Sequence, residues 1–346
     1  GRSAMTVSFG IVGTGYMAAA ILPSIRLGGA RAYAVSSRDK ARAENFASAN
    51  GVAKTYGSAA EMFADPAVDA VYIASATACH AADAIAALEA GKHVLCEKPF
   101  AMNAAEGERV VAAAKASGKL FMEGLWTLLL PAYQRLCDVA REKSLGAPAH
   151  FAAAYGYPAP KEVRPRLYDK TDGGVLWDLG VYPASLALRL MGPAVSISSK
   201  VMRNADGVDT HFGAQLVHES GAVSQLSASF DGLMSNMATL ACARGSATLA
   251  PPLFGAEEIV VETFEPGPPQ LPGSGLKAKL KKNPLLRRVK RALGGGETLS
   301  YGADQYLPQM THFLGLIASG KTESEVASHA LSMQTVRLLD QIRAQG

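Results

Sequence analysis

Short apolar segments alternate with longer segments of helical spacing over the first 125 residues. The apolar segments predict buried strands, because strands with both faces covered are nearly continuous in apolar residues. Strand–helix alternation predicts an α/β fold with a doubly wound parallel sheet. The predicted strands are 7–12, 30–35, 70–73, 93–96 and 120–123, and the predicted helices are 17–27, 38–50, 78–90 and 104–117.

The pattern changes after residue 131, where strand-like runs follow one another with few helices between them. This arrangement predicts a C-terminal α+β domain with an open, mainly antiparallel sheet. We expect helices at 131–143, across 178–190, at 304–319 and at 328–344, and strands at 194–202, 210–217, 222–230, 237–243 and 258–264.

At 346 residues the chain exceeds what one hydrophobic core usually serves, so we expect two domains. We place a dinucleotide-binding domain at residues 5–125 and a domain for substrate binding and oligomerisation at 126–346. Residues 266–296 are rich in Pro and Gly and are predicted to form an exposed basic insertion.

Apolar residues make up 49% of the chain and charged residues 18%, values typical of a folded protein. The net charge of +4 is concentrated in residues 276–293, which hold eight Lys and Arg and no acid; outside them, 26 basic residues face 30 acidic ones. We therefore predict no nucleic-acid partner. Such a segment can contact anionic membrane surfaces, but a solvated surface segment is the simpler interpretation.

The four cysteines are scattered, without CxxC spacing or clustering with histidine. This pattern predicts no metal site and a reducing, cytoplasmic location. We find neither a signal peptide nor an apolar run long enough for a membrane span. Gly1–Ala4, ahead of Met5, is interpreted as a tag remnant.

A glycine-rich turn, Gly10-x-x-Gly13-x-Gly15-x-x-Ala18, follows the first predicted strand and opens a helix. This is the context of the Rossmann dinucleotide fingerprint, in which glycines allow a tight turn and close approach of the backbone to a pyrophosphate. A flavin, S-adenosylmethionine or non-binding version of the turn stays open. The residues predicted to contact the cofactor here are Gly13, Thr14, Gly15, Tyr16 and Met17.

The second predicted strand ends in Ser37-Arg38-Asp39. A hydroxyl and a guanidinium can hold a 2′-phosphate, so Ser37 and Arg38 favour NADP over NAD. Asp39 could still reach a ribose, and Ser37 could instead be a helix cap beside an exposed Arg38.

Glu97-Lys98-Pro99 follows the predicted parallel strand 93–96, at the sheet edge where doubly wound folds place their ligands. A lysine at this point can hydrogen-bond a substrate hydroxyl and assist proton transfer while hydride leaves the carbon.

Five segments together resemble the Gfo/Idh/MocA oxidoreductases. The resemblance covers the whole chain except 266–296, and the Glu-x-x-Trp-Thr and Asp-Leu-Gly-Val-Tyr-Pro forms are most similar to the dihydrodiol and D-xylose dehydrogenase branch. The segments are Tyr72-Ile73-Ala74-Ser75 with His80, Glu89-Ala90-Gly91-Lys92-His93-Val94-Leu95-Cys96-Glu97-Lys98-Pro99, Met122-Glu123-Gly124-Leu125-Trp126-Thr127, Gly173-Gly174-Val175-Leu176-Trp177-Asp178-Leu179-Gly180-Val181-Tyr182-Pro183, and Gly320-Lys321-Thr322-Glu323-Ser324.

The resemblance implies that Lys98 is catalytic, that Tyr182 donates or accepts the proton, and that Asp178 binds a substrate hydroxyl. Asp178 and Tyr182 are four residues apart, so we expect both on the helix face toward Lys98. We expect Lys98 to lower the phenol pKa from about 10 toward neutrality. Further expected cofactor contacts are Ser75, Thr77, His80, Glu97, Lys98 and Trp126, and expected substrate contacts are Trp126, Arg164, Arg166, Asp178 and Tyr182.

The chain departs from this pattern at two points. Ala76-Thr77 replaces the usual Pro-Asn, and Leu128-Leu129 replaces the Arg-Phe of the dihydrodiol-like branch. The lost arginine weakens any transfer of substrate identity, whereas Lys98, Asp178 and Tyr182 are all present.

We therefore expect an NADP-preferring dehydrogenase or reductase acting on a secondary alcohol, lactol or carbonyl of a small sugar, polyol or cyclic diol. A homodimer or homotetramer through the exposed sheet face is expected if that face is apolar. Three alternatives stay open: an NAD-dependent glycoside hydrolase of the same fold, a non-catalytic nucleotide-binding sensor, and a reductase of a larger ring system.

Overall fold

The computed structural model describes residues 6–265, 267 and 296–345. The basic segment 276–293 and almost all of the predicted insertion lie outside these residues, as does Gly1–Ala4. No helix within the described ranges is long and apolar enough to cross a membrane.

The first sheet has six parallel strands in the order β3-β2-β1-β4-β5-β6, which confirms the predicted doubly wound α/β fold. Its strands are β1 (Ser8–Val12), β2 (Arg31–Ser36), β3 (Lys54–Tyr56), β4 (Ala70–Ile73), β5 (His93–Cys96) and β6 (Phe121–Glu123). The helices of this part are α1 (Tyr16–Ala20), α2 (Leu22–Leu27), α3 (Lys40–Asn50), α4 (Ala59–Phe63), α5 (His80–Glu89) and α6 (Ala104–Ser117).

Successive residues of the central strands enter cores on opposite sheet faces. Phe9 and Ile11 of β1 join one cluster, whereas Val12 joins the other. Because parallel strands are buried on both sides, only their ends are free to meet a ligand. The carboxyl ends of β1, β4 and β5 therefore define one edge at which the site residues gather.

The second sheet has eight strands in the order β14-β13-β12-β11-β7-β10-β9-β8. Every neighbouring pair is antiparallel except β7 and β10, which confirms the predicted open, mainly antiparallel sheet. Its strands are β7 (Pro148–Gly156), β8 (Ala194–Arg203), β9 (Asp209–His218), β10 (Val223–Ser229), β11 (Ala238–Cys242), β12 (Gly245–Leu249), β13 (Glu258–Thr263) and β14 (Glu297–Thr298).

Among the described residues, this sheet is accompanied by the helices α7 (Pro131–Glu142), α8 (Val181–Met191), α9 (Leu307–Ala318) and α10 (His329–Ala344). The last two return to the first sheet. Phe313 of α9 lies 5.9 Å from Phe9, ring centroid to ring centroid, and Met333 and Val336 of α10 join the core beside α6. The end of the chain thus fixes the two sheets relative to each other.

The structure differs from the predicted elements at several places, two of which have a clear local cause. The helix expected over 17–27 is divided at Ile21 into α1 and α2, since Pro23 has no N–H to continue the hydrogen-bond pattern. Strand β7 was not predicted, because its Ala-rich sequence has low strand propensity. It forms because β10 and β11 pair with it on either side.

Candidate active site

The glycine turn between β1 and α1 is shaped by a close approach to the neighbouring strand end. Gly13 has φ +102°, and a Cβ there would lie 2.4 Å from the Ala74 carbonyl oxygen. A Cβ on Gly15, in contrast, would meet nothing within 4 Å, and no side chain caps the start of α1. This open backbone fits a dinucleotide pyrophosphate, as the sequence predicts.

Three polar residues, Ser37, Arg38 and Asp39, follow β2 and differ in their contacts. The Asp39 carboxylate caps α3 by accepting from the Arg42 N–H at 3.2 Å and lies 3.7 Å from the Arg42 Nε. The Ser37 hydroxyl accepts from the Asp39 N–H. The helix cap is therefore Asp39 and not Ser37. Arg38 is exposed, and no carboxylate of the described residues lies within ion-pairing distance of it.

The loop after β4 is tied to the loop after β5 through His80. His80 is buried, with Nδ1 2.8 Å from the Pro99 carbonyl oxygen and Nε2 3.2 Å from the Ser75 carbonyl oxygen. Ser75 donates its hydroxyl to Asp83 at 2.6 Å. These contacts tie the loop after β4 to the backbone that directly follows Lys98.

Lys98 and Asp178 form the charged centre of the site. The Lys98 Nζ donates to the Asp178 carboxylate at 3.2 Å and to the Asp178 carbonyl oxygen at 2.5 Å. The side chains are 12% and 29% exposed. Burial by itself would lower the pKa of Lys98, but the negative charge of Asp178 and its hydrogen bond outweigh it and hold that pKa above its ordinary value. The charged form of Lys98 is therefore favoured at neutral pH.

Asp178 lies in a π-helical turn, Leu176–Gly180, that precedes α8, and not in the regular helix expected over 178–190. Asp209, at the start of β9, accepts the Leu176 N–H at 2.8 Å. Gly174 has φ +109°, and a Cβ there would lie 2.6 Å from the Asp209 carboxylate. The glycine is thus needed to let a buried carboxylate hold the beginning of the turn.

Tyr182 meets Lys98 through its ring face, with Nζ 4.9 Å from the ring centroid. Its hydroxyl oxygen accepts from the Trp126 indole N–H at 3.1 Å. The expected fall in the phenol pKa is wrong for this structure. Burial raises the pKa of Tyr182 above its ordinary value, and the opposing effects of Lys98 and Trp126 are smaller.

Two buried carboxyl groups, those of Glu97 and Glu123, lie near Lys98. Glu97 accepts from the Tyr72 hydroxyl, and burial raises its pKa. Glu123, at the end of β6, accepts the Phe100 N–H at 3.1 Å, and burial raises its pKa to about 7. Glu97 is thus a buried carboxyl group that directly precedes Lys98 in the chain.

A cavity of about 150 Å³ opens beside Lys98. Arg166 lines it and lies 3.5 Å from the buried Asp172, which accepts the Ala78 N–H. Arg164 is exposed. The other lining residues are Thr77, Lys98, Pro99, Leu167, Gly173, Gly174, Trp177 and Asp178. Within the described ranges, no group of three His, Cys, Asp or Glu side chains is placed to hold a metal ion.

The structure also contributes residues that the sequence reasoning missed. Asp172 directly precedes the glycine pair, a position that could have drawn attention to it. Asp209 carries no local signal, because it acts on Leu176, which is distant in the chain. Tyr72 belongs to one of the family-like segments, but its hydrogen bond to Glu97 was not expected.

Two family models match the chain. Residues 7–125 match an oxidoreductase family with an NAD-binding Rossmann fold, and residues 133–248 match the GFO/IDH/MocA C-terminal domain. The chain belongs to the Gfo/Idh/MocA family. The predicted family is therefore confirmed, and with it an NAD(P)-binding oxidoreductase.

Relatives and solved structures agree with this assignment. Trans-1,2-dihydrobenzene-1,2-diol dehydrogenase of Bos taurus is 32% identical over 263 residues, covering 75% of this chain and 78% of its own. A 3-ketoreductase from Actinomadura kijaniata has a TM-score of 0.79 at 22% identity, covering 98% of both chains. Aldose-aldose oxidoreductase from Caulobacter crescentus has a TM-score of 0.81 at 20% identity, covering 98% of this chain and 97% of its own. These two likenesses show the shared fold.

The crowding at Gly174 generates a prediction. Gly174→Ala combines backbone strain with loss of the Asp209–Leu176 hydrogen bond, whereas Gly192→Ala, at φ +78° with no neighbour within 4 Å, has strain alone. We expect Gly174→Ala to lower the free energy of unfolding by about 1.5–3 kcal/mol more than Gly192→Ala does. Urea denaturation of both variants measures the difference. Equal losses would show that Asp209 does not hold the turn.

Proposed function

We propose that this protein is an NADP-preferring dehydrogenase or reductase that acts on a secondary alcohol, lactol or carbonyl of a small sugar, polyol or cyclic diol. The observation that carries the proposal is the placement of Lys98 between the Asp178 carboxylate and the Tyr182 ring. A carboxylate can bind the hydroxyl of an alcohol, a cation can stabilise charge on its oxygen, and a phenol can transfer its proton. The substrate class agrees with the diol named for the bovine relative.

The chain's own residues perform the binding and the proton transfer. Asp178 holds a substrate hydroxyl, and Lys98 stabilises negative charge that develops on the substrate oxygen. The phenolate form of Tyr182 takes the hydroxyl proton in oxidation, and the phenol form returns it to the carbonyl oxygen in reduction. Because burial raises the pKa of Tyr182, its phenol is protonated at neutral pH, which is the form that donates in reduction. When bound, the nicotinamide supplies the hydride acceptor or donor.

In this proposal residues 5–125 hold the cofactor and residues 126–346 hold the substrate. Gly13, Thr14, Gly15, Tyr16 and Met17 would lie along the pyrophosphate, and Ser75, Thr77, His80 and Glu97 would support the nicotinamide end. Arg166 lines the cavity beside Lys98 and is a candidate substrate contact. The exposed Arg164 is retained as a second candidate. All four cysteines are free thiols, which supports a reducing compartment such as the cytoplasm.

The catalytic proposal predicts separate effects on binding and turnover. Lys98→Ala and Tyr182→Phe should each lower kcat by about 10²–10⁴-fold while NADPH still binds, because general acid–base groups contribute rate enhancements of that size. Tryptophan-fluorescence titration gives the affinity, and reduced-nicotinamide absorbance over a polyol and dihydrodiol panel gives the rate. Lys115→Ala, at an exposed lysine of α6, serves as the control.

Three outcomes would count against this proposal. Binding without turnover on any panel member would favour the sensor. Net hydrolysis of a glycoside without net change in cofactor would favour the hydrolase. Full activity in Lys98→Ala would remove the lysine from the reaction.

The proposed NADP preference rests on the contacts of Asp39 and the exposure of Arg38 after β2. Asp39 is engaged at the start of α3, while Arg38 is exposed beside it. Arg38→Ala should raise the Kd for NADP by about 10- to 100-fold, because a charge-assisted hydrogen bond is lost, and should change the Kd for NAD by less than about 3-fold.

Fluorescence titration with both cofactors measures the change. Arg42→Ala, which removes the arginine that pairs with Asp39, is the matched control. Equal weakening of NADP and NAD by Arg38→Ala would contradict the assignment.

We propose that the outer face of the second sheet forms a homodimer or homotetramer. The face carries small and uncharged residues at its centre: Thr239, Ala152, Gln225 and Gln215 are paired in a row across four strands. The sequence argument assumed an apolar sheet face. The side chains in this row are instead uncharged but partly polar, since two of them are glutamines. Such a surface has few charges to desolvate when two copies meet.

Ala152→Arg tests this interface. A bulky cation at the centre of the face should convert the oligomer to a monomer, whereas Ala60→Arg, at an exposed alanine of α4, should not. Sedimentation velocity at micromolar concentration distinguishes the two. A wild-type monomer, or an oligomer that persists in Ala152→Arg, would contradict the proposal.

A further inference from the structure

Trp126 and Tyr182 share a buried hydrogen bond with a fixed direction. The indole Nε1 lies 3.1 Å from the phenol oxygen, and the residues are only 4% and 6% exposed. An indole N–H can donate but cannot accept. The phenol oxygen is therefore the acceptor, and its own O–H proton is left for another partner.

The other neighbours of Tyr182 contact its ring. Lys98 lies over the ring face, Tyr155 is stacked at 5.7 Å between centroids, and Phe254 meets it edge-on at 5.0 Å. Among the hydrogen bonds of the described residues, the one from Trp126 is the one that reaches this hydroxyl oxygen. The direction of the O–H proton is therefore set by one donor.

Trp126 is itself held in place from two sides. Its ring meets Tyr306, next to the start of α9, edge-on at 4.9 Å between centroids. It begins a 3₁₀ turn, Trp126–Leu129, in which Leu128 donates its N–H to the Leu125 carbonyl oxygen at 3.0 Å. The indole N–H is thus presented to Tyr182 by a rigid support.

We propose that Trp126 is a positioning residue that directs the Tyr182 proton away from the indole and toward the substrate, and that stabilises negative charge on the phenol oxygen. This role differs from the cofactor or substrate contact expected from the sequence. It rests on the proposed function, in which Tyr182 carries the proton. A donor to an oxygen that gains charge stabilises the charged form more than the neutral one.

The test removes the N–H and keeps the ring. Benzothienylalanine at position 126 has sulfur in place of the indole N–H and nearly the same shape. We expect kcat to fall by about 10- to 100-fold, the value of a hydrogen bond to a charged group. We expect the ionisation that limits alcohol oxidation to move up by about one to two pH units, because the phenolate loses a donor.

The same replacement in a Tyr182→Phe background separates positioning from packing. Without the hydroxyl, loss of the N–H should change the residual kcat by less than about 2-fold. An equal fall in both backgrounds, or an unchanged kcat and pH profile in the protein with Tyr182, would overturn the positioning role of Trp126 and leave the proposed function standing. Wild-type kcat in Tyr182→Phe itself would overturn the proton-carrying role of Tyr182 and the inference with it. NADPH affinity, measured by titration, reports that each variant is folded.

Discussion

The ammonium of Lys98 is removed from water between two sheets, and this constraint organises the rest of the site. A buried cation is costly unless a negative charge and hydrogen-bond acceptors accompany it. Asp178 supplies both, through its carboxylate and its backbone carbonyl oxygen. The lysine follows a strand of the first sheet and the aspartate precedes a helix of the second part. Their pairing therefore requires the two parts to meet at this one edge.

The support for Asp178 extends far from the site. Asp209 holds the Leu176 N–H and lies 3.5 Å from Arg343, near the end of α10. The Arg343 guanidinium carbon lies 4.8 Å from the Trp177 ring centroid. Helix α10 thus packs on the turn that presents the Asp178 carboxylate.

The phenol of Tyr182 shows how opposing effects combine. A nearby cation alone would make it more acidic, and the sequence argument counted only this effect. The surrounding aromatic rings exclude water, and desolvation of the phenolate is the larger effect. The protonated form is therefore favoured, and the groups beside the ring and at the oxygen adjust that preference.

The sequence by itself determined the alternation of strands and helices in the first part of the chain and the local chemistry. Strands 70–73 and 93–96 and helix 104–117 have the predicted bounds. A strand buried between helices is recognisable in the sequence because its consecutive residues are apolar. The glycine turn and Lys98 are likewise local, since each depends on the strand directly before it. The approach of Asp178 to Lys98, 80 residues away, was expected from the family resemblance. Tertiary structure alone decided the contact of Trp126 with Tyr182, 56 residues away. It also decided β7 and the direction of the Tyr182 pKa, because pairing and burial depend on how the whole chain packs.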